Sequence, residues 1–137
     1  MITNNGESAE TKKKQPGHII TVSTPVWNYL QDKKKILKNE HEDNINKLLK
    51  DREEYLIAVP VWKITYAAHL SGQETKTIRI SDELYHTLNA LRGEGIIRTR
   101  EAEYSYARVL NDLLHQSVSL RQIIQKGMAE KEKLFCS

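Results

Sequence analysis

The sequence predicts a mainly α fold that contains a short two-stranded antiparallel ribbon, together with linker and C-terminal helices. Three observations lead to this fold class: a short alternating segment that turns directly into a capped helix, an earlier segment with the same order of features, and apolar residues at helical spacing along much of the remaining chain. Alternation with a period of two is typical of a half-buried strand, and recurrence at i, i+4 and i+7 is typical of an amphipathic helix.

The alternating segment extends from residue 75 to residue 81. Its apolar and polar residues fall on opposite faces of the predicted strand: Ile78 and Ile80 on one, and Thr75, Thr77 and Arg79 on the other. Two isoleucines cannot form a core by themselves, so the strand needs a partner. The hydroxyl groups and the guanidinium of the other face suit hydrogen bonds to base edges and phosphates.

Two helices are predicted after this strand. Ser81 is a suitable N-cap for the first, and Asp82 and Glu83 favour its positive end. Ser105 can cap the second helix in the same way. Each helix has an apolar stripe, formed by Leu84, Leu88 and Leu91 in the first and by Val109, Leu110, Leu113 and Leu114 in the second.

This order of strand, helix, turn and helix, with the polar side of the strand exposed, resembles the ribbon-helix-helix family of DNA-binding proteins, the Arc/MetJ-type repressors. The resemblance covers roughly residues 75–116. In that family two such units pair their strands into an antiparallel ribbon that lies in the major groove, where alternate side chains contact bases. The other interpretation of the strand is an ordinary edge strand with a solvated polar face.

The resemblance implies which residues of this chain would contact DNA. Base contacts would come from the ribbon, through Thr75, Thr77, Arg79 and Thr21. Phosphate contacts would come from backbone amides at the start of the second helix, around Ser105 and Tyr106.

An earlier part of the chain repeats the pattern in degenerate form. At an offset of 58 residues (Ile20 to Ile78), Ile20 and Val22 occupy the apolar positions, Ser23 or Thr24 follows as the cap, and Pro25 lies near the first helical position. The helices of the two copies also correspond. In the first helices Val26, Trp27 and Leu30 match Leu84, Tyr85 and Leu88, and in the second helices Ile45, Leu48 and Leu49 match Leu110, Leu113 and Leu114. The offset grows to 65 in the second helices (Ile45 to Leu110), so the second copy has seven more residues between its helices.

A true repeat would place two ribbon-helix-helix units in one chain, paired as a pseudo-dimer inside a monomer. The first copy's DNA-facing positions would be Gly17, Ile19 and Thr21, which offer little base-reading chemistry. We therefore predict that the two strands pair within the chain and that the DNA site is asymmetric. The alternatives are pairing of like strands between two chains, and a chance recurrence of strand and helix.

The predicted organisation has five parts. They are a disordered basic arm at 1–16, a first, degenerate unit at 17–54, an apolar linker at 55–74, a second unit at 75–116, and a C-terminal helix and tail at 117–137. Dense charge interrupted by a few aliphatic residues predicts two exposed helices around Asn39–His41.

The linker contains the most apolar stretch of the chain. Pro60 disfavours a central strand or a continuous helix, so we expect an extended piece ending at Val59 and a helix from about Val61 through residue 70. Trp62 and Tyr66 would be anchors in the core or in an interface.

Three charged or amphipathic segments each have two interpretations. Lys12, Lys13 and Lys14 predict either a phosphate-contacting arm or a solubilising tail. Arg98 and Arg100, in an expected loop at 93–101, predict either an arm that contacts phosphates or enters the minor groove, or a solvated loop. The C-terminal helix predicts either a surface for a protein partner or for self-association, or a packing helix that completes the core.

Composition narrows the functional classes. The chain of 137 residues has a net charge of +3, which is compatible with a nucleic-acid partner. No apolar run approaches the roughly 20 residues of a membrane span, and no signal peptide is recognisable, so we expect a cytoplasmic protein. A single cysteine, Cys136, excludes an intrachain disulfide. The five histidines lack metal-binding spacing and no catalytic motif is present, so we expect no metal, no cofactor and no enzymatic activity.

These observations lead to a main hypothesis and an alternative. The main hypothesis is a sequence-specific double-stranded DNA-binding protein, acting as a transcriptional regulator such as a repressor, or as a mobile-element accessory factor. The alternative is an antitoxin-like protein–protein adaptor whose ribbon mainly dimerises and whose C-terminal helix binds a partner. A basic ribbon surface favours the first, and an acidic or apolar one favours the second.

Overall fold

The computed structural model describes residues 17–69, 72 and 74–136, with side chains as far as Met128. The elements are β1 (Gly17–Ser23), α1 (Thr24–Leu37), α2 (His41–Ala58), a 3₁₀ turn (Val61–Lys63), β2 (Thr75–Ser81), α3 (Asp82–Thr99) and α4 (Tyr106–Cys136). The fold is therefore mainly α with a short two-stranded sheet, as predicted. The expected arm at 1–16 lies outside the described residues.

The ribbon forms inside the single chain, because β1 pairs antiparallel with β2. Ile20 lies opposite Ile78, which is also its counterpart in the sequence repeat. A local two-fold axis through this pair therefore relates each residue of β1 to the residue 58 positions later in β2. Pairing within one chain, which the repeat predicted, is what the structure has.

The inner face of the ribbon and the apolar stripes of the helices form one core. Six of the matched pairs are buried: Ile20 and Ile78, Val22 and Ile80, Val26 and Leu84, Leu30 and Leu88, Ile45 and Leu110, and Leu48 and Leu113. The other two matched pairs, Trp27 with Tyr85 and Leu49 with Leu114, are partly buried and pack against the same core. Burial of an aliphatic side chain of this size is worth about 1.5–3 kcal/mol. The repeat therefore corresponds to equivalent packing roles in the two units.

The two copies also end their first helices in the same way. Lys38 after α1 and Arg100 after α3 both adopt the left-handed conformation, with φ of 56° and 62°. The seven extra residues of the second copy divide between helix and turn. Helix α3 has 18 residues against 14 in α1, and the turn at 100–105 is three residues longer than the turn at 38–40.

Each strand ends against the second helix of the other unit. The carboxylate of Glu42 on α2 accepts hydrogen bonds from the backbone N–H (2.9 Å) and the hydroxyl (2.6 Å) of Ser81. The hydroxyl of Ser81 in turn accepts from the N–H of Leu84, which is the N-cap that the sequence predicts. At the other end Ser23 occupies the N-cap position of α1, but its hydroxyl donates to Asn111 on α4 and makes no capping bond.

The linker differs from its prediction. Helix α2 continues to Ala58, and beyond Pro60 the chain forms only the 3₁₀ turn, followed by residues 64–69 without regular structure. The predicted helix from Val61 is therefore wrong over the described part of that range. Trp62, with 81% of its surface exposed, is not a core anchor, and Tyr66 is also exposed. Tyr55 and Val59 are buried instead, in a cluster with Leu120.

The predicted loop at 93–101 is mostly helical. Helix α3 continues to Thr99, so neither Gly93 nor Gly95 ends it. A Cβ atom on Gly95 would lie 2.5 Å from the ring of buried Tyr104, which explains a glycine inside a helix. Helix α4 runs without a break across the boundary expected between 116 and 117, and Leu120 is still buried against α2.

Replacement of Ile80 by Asp tests the assignment of the two ribbon faces. We expect Ile80→Asp to cost more than the roughly 2–5 kcal/mol of a buried truncation, because it also buries an unpaired carboxylate. Thr77→Asp places the same group on the exposed face of the same strand, and it should leave helical content and the unfolding midpoint nearly unchanged. Urea denaturation followed by circular dichroism measures both, and a native-like Ile80→Asp protein would mean that the faces are reversed.

The two glycines of α3 provide a matched pair. Gly95→Ala should destabilise the protein by about 1–3 kcal/mol, because the added methyl group collides with Tyr104 in a packed core. Gly93→Ala meets nothing within 4 Å and should stabilise the helix by about 0.5–1 kcal/mol. Thermal unfolding decides between them, and equal effects of the two substitutions would contradict the packing of Tyr104 on Gly95.

Intramolecular pairing predicts that the dilute protein is a folded monomer. One chain contains both strands and covers their isoleucine faces, so a second copy is not needed. Light scattering should give a mass near 15.8 kDa at low concentration. Because exposed Ile124 on α4 could mediate weak self-association, Ile124→Lys is the control. A dimer that persists on dilution in this variant would contradict pairing within the chain.

Candidate nucleic-acid interface

The outer face of the ribbon is a small exposed surface that no helix covers. It presents the side chains of Ile19, Thr21, Thr75, Thr77 and Arg79, all of which are exposed. Four of these form two cross-strand pairs on this face, since Ile19 lies opposite Arg79 and Thr21 lies opposite Thr77. The predicted base-contacting residues are thus brought together, and neither strand contains an acidic residue.

Arg79 projects along the ribbon over Gly17. A Cβ atom at Gly17 would lie 3.3 Å from both Cγ and Nη1 of Arg79 and 3.0 Å from the carbonyl oxygen of Ile80. The missing side chain therefore leaves room for the guanidinium on the ribbon surface. Among the described residues, no hydrogen bond or ion pair engages that guanidinium.

The Arg79 end of the ribbon borders acidic residues from α2. Arg79, Ile80 and Ser81 line one open cleft together with Glu40, His41, Glu42, Asp43 and Asn46. These acids start the helix: Glu40 and Asp43 form a capping box, and Glu42 holds Ser81. They make the first turn of α2 unfavourable for a phosphate, although a helix N-terminus otherwise attracts anions.

The corresponding turn of α4 contains no acidic residue. Ser105 caps this helix, because its hydroxyl accepts from the N–H of Arg108 (3.2 Å) and its carbonyl accepts from the N–H of Val109 (3.1 Å). The amides of Tyr106 and Ala107 belong to the first turn, where N–H groups have no intrahelical acceptor. The predicted phosphate site around Ser105 and Tyr106 therefore has N–H groups at a positive helix end without an acidic side chain in the same turn. The first turn of α2 differs because it contains Glu42 and Asp43.

The side chain of Tyr106 has a structural role. Its hydroxyl donates to the Oδ1 atom of Asn89 (2.9 Å), and its ring packs on Tyr85. Burial, followed by the hydrogen bond and charge of Tyr85, raises the pKa of Tyr106 to about 12. Tyr85 in turn stacks on His18 at 3.7 Å, and His18 Nε2 lies 2.7 Å from Asp82 Oδ1. This hydrogen bond lowers the pKa of Asp82 and fastens the start of β1 to α3.

Arg98 belongs to a cluster inside the second unit. Its guanidinium donates to the hydroxyl of Tyr104 (2.9 Å), lies 3.6 Å from a carboxylate oxygen of Asp112 and covers the ring of Tyr66 at 3.5 Å. Tyr104 also donates to Asp112, whose other oxygen accepts from the N–H of Ala67 (3.0 Å). Burial is the first cause that raises the pKa of both Tyr104, to about 12, and Asp112.

This cluster fastens the linker to α3 and α4 and gives Arg98 a packing role. Its predicted phosphate contact stays a prediction. Arg100 is different, because it lies exposed beyond the end of α3. Lys12, Lys13 and Lys14 lie outside the described residues.

Sequence alternation placed Gly17 and Ile19 on the outer face but assigned neither a role in DNA contact. In the structure Gly17 lies beside Arg79, and Ile19 is an exposed aliphatic side chain on a polar face. Two further residues were not predicted: Lys76 is an exposed cation of β2, and Glu42 places a carboxylate next to Ser81. Glu42 had no local signal, because it lies 39 residues from Ser81 in sequence.

Within the part of the chain that the structure describes, no cluster of three or more His, Cys, Asp or Glu side chains could hold a metal ion. No helix there combines the length and the apolar character that a membrane span requires. No family model, no curated protein and no solved structure matches the chain.

Proposed function

We propose that this protein binds double-stranded DNA in a sequence-specific manner, by inserting the outer face of its ribbon into the major groove. The observation that carries the proposal is the display of Thr21, Thr77 and Arg79 on the exposed face of two paired strands that contain no acidic residue. The major groove, about 12 Å wide, admits a two-stranded ribbon. A guanidinium can make two hydrogen bonds to guanine, and threonine can donate to or accept from any base.

The architecture supports the same proposal. Two units of strand, helix and helix, joined through one ribbon, have the arrangement expected from the resemblance to the ribbon-helix-helix family. We propose that the chain is a tandem member of that family, acting as a transcriptional regulator or as a mobile-element accessory factor. Such a role places it in the cytoplasm with the DNA and requires no catalytic step and no cofactor.

Phosphate contacts would be unequal on the two sides of the ribbon. The amides at the start of α4 and exposed Arg100 would hold the DNA backbone on one side, with Lys12–Lys14 as a further cationic segment. On the other side Glu40, Glu42 and Asp43 repel phosphate at the start of α2. Affinity would therefore depend strongly on salt, as expected when cationic groups displace counterions.

A second candidate function follows from the far half of α4. Val118, Ile123, Ile124 and Met128 are exposed along this helix, and Trp62 is exposed on the linker. A row of exposed apolar residues on one helix would suit contact with a protein partner. In this adaptor function the ribbon would join the two units without contacting DNA. Retained DNA binding after substitution of Ile124 and Met128 by Lys separates the two functions.

Arg79→Ala tests the DNA-binding proposal. Loss of a bidentate contact to guanine should weaken specific binding by about 1–3 kcal/mol, while an exposed position keeps the fold intact. Genomic fragments retained by the full chain would supply the DNA, and a titration at fixed salt would measure affinity. Lys50→Ala removes the same charge from an exposed position of α2 and is the control. Equal losses for the two variants on the selected DNA would contradict base reading by Arg79.

A further inference from the structure

Ile19 is an aliphatic side chain on the otherwise polar outer face of the ribbon. It lies 62% exposed on the outer face of β1, although its neighbour Ile20 is buried in the core. An isoleucine in this position gains little from folding, because most of its apolar surface stays in water. The side chain would be desolvated only when another molecule covers the ribbon.

The register places Ile19 directly opposite Arg79. Cross-strand partners on one face have Cβ atoms about 4.5–5.5 Å apart, so the aliphatic group and the arginine stem are neighbours. Gly17, two residues before Ile19 on the same face, leaves the space that the guanidinium occupies. Gly17, Ile19 and Arg79 consequently form one contiguous patch at one end of the ribbon.

The other end of the ribbon has different chemistry at the symmetry-related positions. The local two-fold axis at the Ile20–Ile78 pair relates Ile19 to Thr77 and Arg79 to Thr21. One end therefore presents an aliphatic group beside a guanidinium, and the other presents two threonines. The two ends cannot recognise the same bases.

Resting on the proposed DNA-binding function, we propose that Ile19 is a specificity residue that contacts the 5-methyl group of a thymine beside the guanine bound by Arg79. In the major groove this methyl group is the apolar mark that distinguishes thymine, and guanine presents its O6 and N7 acceptors to a guanidinium. Bases along a strand are about 3.4 Å apart, so neighbouring side chains reach bases one or two steps apart. The DNA site is then non-palindromic within a single chain.

The first experiment selects duplexes from a random library with the full-length protein. The expected result is a non-palindromic consensus in which a guanine lies within two base pairs of a conserved thymine. Arg79→Ala should relax the guanine and Ile19→Ala should relax the thymine. A palindromic consensus, or relaxation of the same base by both variants, would overturn the proposal.

The second experiment removes only the methyl group, by replacing that thymine with uracil in the selected duplex. Wild-type affinity should fall about fourfold, which corresponds to one buried methyl group of about 0.8 kcal/mol. Ile19→Ala should lose a similar factor on the thymine duplex and show no further loss on the uracil duplex. Ile97→Ala, at an even more exposed isoleucine of α3, should keep the wild-type response. Uracil at a thymine outside the consensus should have no effect.

The outcomes separate the two proposals. One outcome is that binding depends on Arg79 but uracil weakens the wild type and Ile19→Ala equally. That outcome overturns the role of Ile19 and leaves the DNA-binding function intact. If the library yields no enriched duplex, the DNA-binding function fails, and the role of Ile19 fails with it.

Discussion

Two seven-residue strands pair within one chain, and the face that they turn towards the helices carries the aliphatic residues Ile20, Val22, Ile78 and Ile80. Their burial, at about 1.5–3 kcal/mol each, is comparable with the whole net stability of a small domain. Neither strand can cover these residues alone, so the helices of both units depend on the pairing. Covalent linkage makes that pairing independent of protein concentration, at the modest entropic cost of closing a loop.

The second helices connect the two units and also make them unequal. Glu42 of α2 holds the end of β2, and Asn111 of α4 holds the end of β1. The carboxylate at one end and the amide at the other give the two flanks different electrostatics. Two identical chains would have to present the same residues at both ends of a ribbon, whereas a tandem chain places Ile19 and Arg79 at one end and Thr21 and Thr77 at the other.

The parts of the fold that could be predicted from sequence are those with a strong local period. Alternation placed Ile78 and Ile80 inside and Thr77 and Arg79 outside, and the helical stripes placed the remaining core residues. The repeat offset also predicted which strand pairs with which. The predictions for the linker and for the loop at 93–101 were wrong. Pro60 does interrupt the helices, but α2 extends to Ala58 and only a 3₁₀ turn follows. Helix α3 continues through both glycines, and the packing of Tyr104 on Gly95 could not be read from a local pattern.

The sequence by itself determined the order of strands and helices, the inner and outer faces of the ribbon and the candidate base-contacting residues, because each of these follows from side-chain periodicity. Only the tertiary structure decided the environment of each charged group. Arg98 turns to Tyr104 and Asp112, and Glu42 reaches Ser81 across the unit boundary. Glu42 and Ser81 are far apart in sequence, and Arg98 and Tyr104 are brought together by the turn after α3. Local sequence patterns do not predict such contacts, because the packing of the two units determines which side chains meet.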